Sequence, residues 1–454
     1  MSRLWDKGDA LDPAVERFTV GDDPRLDREL VAYDALASAA HATVLAEIGI
    51  LSPAERDGLV EELAAIAAEA RDGRFEIARA DEDGHTAIEN RLTAKLGDAG
   101  KKIHTGRSRN DQVIAALRLW GREALVEAAG HLLAVVERLL DLAEEHRETS
   151  IPGYTHTRQA MPTTLGHHFA AHAEGLLDAL PWIRTAYDHL DRSPLGSASG
   201  YGVPLPLDRE RVRELLGFSS LQVNTLAVQN DRGRTEHIVL AALSMPVTDL
   251  GRLAHDLILT SSDELGWVTL SNEVTTGSSI MPQKRNPDVL ELVRATAARL
   301  RARVGELAGV YGGLPSGYHR DLQHTKGPFI DGVSAAADVF RVFAVVLDGL
   351  TVHRERCRAA VQAATAATDE VYRRIGEGVP FRTAYREVGE DPAGAVEDDP
   401  SETWRRRTHA GAPGALDLMP YRQALAVGYE WTGESRQRLL AVWHLLQPLA
   451  GGGA

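Results

Sequence analysis

Apolar residues recur at steps of three and four positions through the middle of the chain, a pattern that predicts long amphipathic helices. The longest predicted helix covers 113–148, has no proline, and would span roughly 54 Å. Four more are predicted at 162–191, at 235–263 with a kink at Pro246, at 287–310, and from 329 past 350. Helices longer than ~11–12 residues need neighbours along their length, so the pattern predicts a bundle.

The two flanks of this bundle carry weaker patterns. Residues 1–110 hold shorter helical stretches broken by glycine and proline, and the chain from 358 starts helical but becomes irregular around 388–416. Strand patterns are scarce throughout. The sequence therefore predicts a mostly α fold, and its length favours two to four domains.

Composition excludes several classes of protein. Among 454 residues, 50 lysines and arginines face 65 aspartates and glutamates, giving a net charge of −15. This excess disfavours non-specific nucleic-acid binding and binding to anionic membrane surfaces. The single cysteine, Cys357, excludes an intrachain disulfide and a thiolate metal cluster. With no signal-peptide pattern and no apolar run of ~18 residues, we expect a cytoplasmic protein without membrane spans.

Four polar segments interrupt the helical pattern, and the first two hold a cationic group and a histidine. Residues 101–112 carry four cations directly before the longest helix, which Asn110 or Asp111 is expected to cap. This segment is either an anion-binding pocket or a solvated basic loop. Residues 151–164, predicted as a loop, hold His156, which is either an acid–base group or a surface side chain.

The other two segments precede the fourth and fifth predicted helices. In 275–286 a Gly-Ser-Ser stretch leads to Lys284, Arg285 and Asn286, and Asn286 is expected to cap a helix that starts at Pro287. Cations there would stabilise a developing negative charge, unless the segment is a plain linker. Residues 314–326 mix Tyr318, Gln323 and Lys326, which suits a polar ligand or an ordinary connection.

Three histidines lie close enough together in the sequence to be considered as metal ligands. His168 and His172 lie one helical turn apart, close to His167. The sequence pattern supplies no carboxylates to complete a site, and we find no Glu-x-x-His sets that would face the interior of the bundle. We therefore predict no metal and treat these histidines as surface or core residues.

Taken together, the four segments resemble the superfamily of aspartase, fumarase and argininosuccinate lyase. TTGSSIMPQKRNPD at 275–288 is similar to the superfamily signature, whereas HTGRSRNDQV at 104–113 narrows the resemblance to the argininosuccinate lyases. PGYTHTRQAMPTT at 152–164 and LPSGYHRDLQ at 314–323 agree with them. The resemblance covers nearly the whole chain, from about residue 4 to about residue 445.

The resemblance implies an architecture. We expect three domains, namely an N-terminal helical domain 1–110, a central five-helix bundle 111–357 and a small C-terminal helical domain 358–454. Four copies are expected to form a homotetramer with a twenty-helix core and active sites shared between subunits. The polar segments lie scattered along rod-like helices, so they are expected to converge only where different copies meet.

The resemblance also implies a reaction, the reversible cleavage of argininosuccinate to L-arginine and fumarate by general acid–base elimination through an aci-carboxylate. The implied catalytic residues are Ser278, His156, Lys284, Asn286 and Glu291. Ser278 would remove the C–H proton, and Lys284 and Asn286 would stabilise the intermediate. His156, oriented by Glu291, would assist proton transfer to the leaving nitrogen. Which of Ser278 and His156 acts as base in each step stays open.

The substrate contacts implied by the resemblance are His85, Ser108, Arg109, Asn110, Thr155, Tyr318, Gln323 and Lys326. No cofactor is expected, because acid–base chemistry and oriented charge suffice. The segment around Gly21, Asp22 and Asp23 departs from the usual pattern, so no N-terminal contact is assigned. The alternatives are another fumarate-releasing lyase of the superfamily, a catalytically silent crystallin-like homologue, or a metal-binding bundle.

Overall fold

A computed structural model describes residues 12–447, apart from the side chain at 79. The first eleven residues and the last seven lie outside that range. The prediction that no signal peptide is present therefore falls partly outside the described residues. The described residues before the bundle form six α-helices, which are α1 (Pro13–Val20), α2 (Asp23–Leu26), α3 (Val31–Glu47), α4 (Pro53–Arg71), α5 (Gly84–Leu96) and α6 (Asp98–Lys102). The buried faces of α3, α4 and α5 share one apolar cluster.

The central bundle is confirmed. Its helices are α7 (Arg109–Glu145), α8 (Leu165–Asp178), α9 (Leu180–Leu190), α12 (Arg234–Thr260), α13 (Asp288–Tyr311) and α14 (Lys326–Asp348), with short α10 (Arg209–Leu215) and α11 (Thr225–Asn230) between them. Phe329, Phe340 and Phe343 of α14 are fully buried in its core. Gly121 lets α14 approach α7 closely, because a Cβ there would lie 3.1 Å from the Phe329 ring.

One predicted helix of the bundle is wrong. Residues 162–191 do not form a single helix, because 158–164 belong to a strand and a break at Ala179 separates α8 from α9. Pro181 lies in the first turn of α9, where its missing N–H costs nothing. By contrast, α12 continues through Pro246. The sequence therefore placed the helices to within a few residues, but it did not predict that one of them divides or that α14 ends at Asp348, before the strand Leu350–Val352.

The chain after the bundle is confirmed as helical with an irregular stretch. It contains α15 (Arg354–Ala359), α16 (Ala367–Gly376), α17 (Phe381–Glu390) and α18 (Met419–Val442). A small cluster of Val371, Ala384 and Val388 joins α16 to α17, whereas α18 packs along α7 within the bundle's own core. The domain limits at 110/111 and 357/358 stay a prediction.

Strands are few and short. The antiparallel pairs are β1 (Ser150–Thr155) with β2 (Arg158–Thr164), β5 (Val268–Leu270) with β8 (Leu350–Val352), and β6 (Thr276–Gly277) with β7 (Arg285–Asn286), and β3 (Arg192–Ser193) runs parallel to β4 (Ser220–Leu221). Two pairs replace predicted loops, namely the β1–β2 hairpin at 150–164 and the β6–β7 ribbon. Among the described helices, none has the length and apolar content needed to cross a membrane.

Candidate active site

A cavity of about 430 Å³ lies where the first turn of α7 meets α2, α5 and the start of α14. Its lining includes seven of the eight predicted substrate-binding residues, His85, Ser108, Arg109, Asn110, Tyr318, Gln323 and Lys326. Polar segments 101–112 and 314–326 therefore meet within one chain. The expectation that the polar segments converge only between copies is wrong for this pair, because α7 and α14 start at the same end of the bundle.

The first turn of α7 points polar groups into this cavity. Neither Asn110 nor Asp111 caps the helix. The N-cap is Ser108, whose hydroxyl accepts from the Asn110 amide, while the Asp111 carboxylate accepts from the Ser108 amide at 2.9 Å. This capping box places Arg109 and Asn110 in the first helical turn, where exposed N–H groups favour anions.

Asp111 anchors the same turn from behind. Its other oxygen accepts hydrogen bonds from the amides of Gly196 and Ala198, at 3.1 and 2.7 Å. Burial raises the pKa of Asp111 to about 6, although these backbone donors and Arg107 oppose the shift. The carboxylate thus ties the start of α7 to the loop that follows β3, which makes the cavity wall rigid.

Lys326 was predicted within a connecting segment, but it is the first residue of α14 and is buried. Its Nζ lies 2.5 Å from Asp27 and 3.0 Å from Asp23. Burial alone would lower the pKa of Lys326, but the two carboxylates raise it, so the ammonium stays charged at the cavity wall. Asp23 is thus part of the cavity, although sequence reasoning assigned no contact at 21–23.

Arg109 is held in a comparable way by acidic residues before α5. Its guanidinium pairs with Asp83 and, at 3.4 Å, with Glu82. Burial alone would lower the pKa of Arg109, but these two carboxylates raise it. Gln323 donates to the carbonyls of Thr19 and Val20 at 3.0 and 3.1 Å, which fastens the end of α1 beside the cavity.

Two histidines in the lining differ in charge. His85 Nδ1 lies 2.6 Å from Asp34. Burial alone would lower the pKa of His85, but Asp34, with Asp83 and Asp27, raises it. His104 has the opposite balance, because burial, Arg107 and the neighbouring His85 lower its pKa to about 4. At neutral pH the cavity therefore offers a neutral imidazole at His104 and, at His85, an imidazole biased toward the cation.

The sequence analysis missed part of this lining. Asp27, Glu82, Asp83 and Arg232 line the cavity but were not selected. Arg232 is buried and donates to the Leu322 carbonyl at 3.2 Å, which supports the segment that carries Gln323 and Lys326. Nothing in the local spacing of the sequence marks any of these four residues as facing a pocket.

Thr155 and His156 lie apart from the cavity lining, at the exposed tip of the β1–β2 hairpin. The turn is formed by His156 and Thr157, with φ of 52° and 58°. Left-handed backbone at two consecutive residues is typical of a tight hairpin turn of type I′, a role usually given to asparagine or glycine. His156 is therefore exposed to solvent at the turn.

Ser278, Lys284, Asn286 and Glu291 also lie apart from the cavity lining. Residues 278–284 form a loop closed by the β6–β7 ribbon, in which Ser278 Oγ accepts from the Met281 amide at 3.1 Å. The predicted cap is wrong, because Asn286 pairs with Thr276 in the ribbon and α13 begins at Asp288. Lys284 and Glu291 are exposed, and Ser278 and Asn286 are half-buried.

The predicted site thus falls into two groups within one chain. The first group lines the cavity, and the second consists of the hairpin tip and the 278–291 region. Of the described residues, one further cluster, His168, His172 and Asp256, has the spacing of a metal site.

Comparison with known proteins first identifies the class of protein to which the chain belongs. The family described as "Lyase" matches residues 7–302. Among solved structures, EDDS lyase in complex with formate shares 25% identity at a TM-score of 0.80, covering 96% of this chain and 95% of that one. The class II fumarase of Schistosoma mansoni has a TM-score of 0.72 at 15% identity, covers 86% of this chain and 95% of that one, and shows likeness of fold.

Relatives with higher sequence identity place the chain in one group within this class. Argininosuccinate lyase from Sorangium cellulosum is 47% identical over 416 residues, covering 92% of this chain and 96% of the relative. Argininosuccinate lyase from Thermotoga neapolitana is 42% identical over 388 residues, covering 86% and 98%. The chain belongs to the lyase family and, within it, to the group of the argininosuccinate lyases.

Proposed function

We propose that the chain cleaves argininosuccinate reversibly to L-arginine and fumarate, the step that releases arginine in its biosynthesis. The observation that supports it best is the cavity in which seven predicted substrate-binding residues meet. Argininosuccinate carries three carboxylates, a guanidinium and an ammonium. A cavity that combines Arg109 and Lys326 with the carboxylates of Asp23, Asp27 and Asp83 suits a ligand bearing both charges.

The chemical difficulty is a weakly acidic C–H bond next to a carboxylate of the succinyl group. Ser278 takes this proton, and the electron pair moves onto the carboxylate as an aci-carboxylate. Lys284 and Asn286 stabilise the added negative charge, and one such donor typically contributes ~3–4 kcal/mol. A free serine is a weak base, so its surroundings must activate it.

The C–N bond then breaks, the electron pair of the aci-carboxylate returns to form the double bond of fumarate, and the leaving nitrogen gains a proton. His156, oriented by Glu291, assists that transfer. The leaving group departs as the guanidinium of arginine, whose pKa above ~12 makes departure favourable.

The two groups of site residues have to meet for this reaction. We infer a homotetramer in which the exposed hairpin tip and the 278–291 region of other copies close the cavity of a given chain. Exposed apolar side chains on the bundle helices, among them Trp182, Leu259 and Leu292, support such packing. A cytoplasmic location follows from this metabolic role and remains part of the proposal.

The direct test is fumarate release from argininosuccinate, followed by ultraviolet absorbance. Aspartate and adenylosuccinate serve as matched alternative substrates, because other lyases of the superfamily cleave them. We expect turnover with argininosuccinate alone. Cleavage of one of the other two would move the chain to another specificity, and no fumarate from any would favour a catalytically silent homologue.

A further inference from the structure

The bundle holds a second cluster of chemically active side chains, on the facing surfaces of α8 and α12. His168 and His172 lie one turn apart on α8, and Asp256 faces them from α12. The Nε2 atoms of His168 and His172 lie 3.7 and 3.5 Å from the same oxygen of Asp256. These three residues are absent from the cavity lining and from both groups of predicted site residues.

These distances do not fit good hydrogen bonds but do fit a shared cation. A good N–H···O bond has a heavy-atom distance of ~2.7–3.2 Å, shorter than both separations. Zinc holds imidazole nitrogen and carboxylate oxygen at ~2.0–2.2 Å in a tetrahedron, so two ligand atoms of one ion lie roughly 3.3–3.5 Å apart. All three ligand atoms lie within 4.8 Å of one another, so small rotamer changes suffice to close the site.

The neighbouring histidines are already engaged and stay outside the ligand set. His167 shares a hydrogen bond with Thr163 at 3.0 Å and another with the Gly411 carbonyl at 3.1 Å. Nδ1 of His255 contacts the Arg294 guanidinium at 2.9 Å. Asp256 lies 84 positions beyond His172 in the chain, which is why the sequence pattern predicts no carboxylate partner for these histidines.

We propose that His168, His172 and Asp256 bind one Zn²⁺ ion per chain, linking α8 to α12 and leaving the fourth position to water. Imidazole and carboxylate are ligands that Zn²⁺ accepts readily. Bound in this way, the ion joins α12 to α8, the helix that directly follows the hairpin carrying His156. The proposal is independent of the proposed lyase activity, because it needs no substrate.

The test uses the untagged full chain, stripped with a chelator and dialysed against Zn²⁺. Elemental analysis gives the stoichiometry, competition with a chromophoric chelator gives the affinity, and Co²⁺ in place of Zn²⁺ reports the ligands through its visible absorption. The variants are His172→Ala and the nearly isosteric Asp256→Asn. The matched control is His131→Ala, since His131 also lies near a carboxylate, 3.6 Å from Glu127, but has no second imidazole.

We expect one Zn²⁺ per chain in the wild type and in the control. Each of the two ligand variants should bind more than ~100-fold more weakly, since loss of even an outer partner of a metal ligand costs ~10–100-fold. Zn²⁺ should also raise the unfolding temperature of the wild type and of the control, but not of the variants. Equal affinity in all four proteins would place the ion elsewhere. Absence of binding at micromolar Zn²⁺ would reduce the cluster to an ion pair and overturn the proposal.

Discussion

At the scale of single residues, Ser278 offers the sharpest test of the proposed chemistry. It lies in the 278–284 loop, and its Oγ accepts backbone hydrogen bonds from Ile280 and Met281. We expect Ser278→Ala to lower kcat for fumarate release by ~100-fold or more, the scale of lost acid–base catalysis. The oligomeric state, measured by light scattering, should not change.

The matched control is the adjacent, exposed Ser279→Ala, which should keep kcat within about two- to three-fold if only Ser278 takes the proton. Near-full activity of Ser278→Ala would remove this serine from the mechanism. A comparable loss in both variants would point instead to a general effect on the loop.

The ion pairs of Lys326 make a prediction about stability. Removing this cation leaves the charges of the buried Asp27 and the half-buried Asp23 uncompensated, and breaking a buried pair costs about 3–5 kcal/mol. We therefore expect Lys326→Met to lower the midpoint of urea unfolding markedly. Adding Asp27→Asn to that variant should recover part of the loss.

Lys101→Met is the control for the same change of side chain at the surface. Its partner Asp98 lies 2.8 Å away and both side chains are exposed, so the effect should stay within about 0.5 kcal/mol. If both lysine variants unfolded at the same urea concentration, the buried pair would not stabilise the fold.

His85 makes a prediction about pH. Its pKa is raised in the folded state, so its stabilising contribution is complete below the unfolded value of ~6.5 and is lost as pH rises through the raised value. His85→Gln keeps a donor for Asp34 but removes the charge. The difference in unfolding midpoint between wild type and His85→Gln should therefore be larger near pH ~6 than near pH ~9.

The corresponding control is His131→Gln, at a half-buried position whose neighbouring carboxylate, Glu127, lies 3.6 Å away and is exposed. Its effect should vary little over the same range. A His85→Gln difference that grows with pH would mean that the neutral ring is the stabilised form, contrary to the role inferred for Asp34.

At the scale of elements, the β1–β2 hairpin stores strain at its turn. Thr157 is β-branched and has φ of 58°, a region in which such side chains are disfavoured by about 1–2 kcal/mol. Asparagine tolerates this backbone, so Thr157→Asn should raise the unfolding free energy by about 1 kcal/mol. Thr155→Asn, one step before the turn in extended β1, should lower it slightly. If the two substitutions changed the unfolding free energy equally, the turn would not be strained.

The same elements show what the sequence could predict. The 3.6-residue period identified α7, α12, α13 and α14 to within a few residues, because each buries a continuous apolar face. The β1–β2 hairpin was missed, since its turn residues, His156 and Thr157, are not those that usually signal a type I′ turn. The cap predicted at Asn286 is wrong, because pairing with Thr276 in the ribbon competes with helix initiation.

The site was predictable to the extent that its residues lie in contiguous motifs. The motif at 104–113 gave Ser108, Arg109 and Asn110, and that at 314–326 gave Tyr318, Gln323 and Lys326, all of which line the cavity. Asp27 and Arg232 were not predicted, because only the packing of α14 against the N-terminal helices brings them to the same cavity. Their contribution is a tertiary effect that no local pattern records.

At the scale of the whole molecule, the separation of the two groups of site residues is the central fact. The cavity group belongs to the junction of α2, α5, α7 and α14, whereas Ser278 and Lys284 belong to the loop that the β6–β7 ribbon closes. A shared site predicts complementation. When inactive Ser278→Ala and inactive Lys326→Met chains are mixed, some shared sites should combine the intact 278–284 loop of a Lys326→Met chain with the intact cavity of a Ser278→Ala chain. Activity should then recover to about a quarter of wild type or less. Random assembly of the two kinds of chain leaves both the loop and the cavity intact at about one shared site in four.

The control for this experiment mixes Ser278→Ala with Lys284→Met, two variants of the same loop. One copy supplies both Ser278 and Lys284 to a given site, so every shared site lacks one of these two side chains and no activity should return. Recovery in the first mixture alone would require that ribbon and cavity come from different chains. Recovery in neither, with mixed oligomers verified by native mass spectrometry, would require each chain to close the ribbon over its own cavity. The proposed sharing of sites would then be replaced by a large movement of the 278–284 loop.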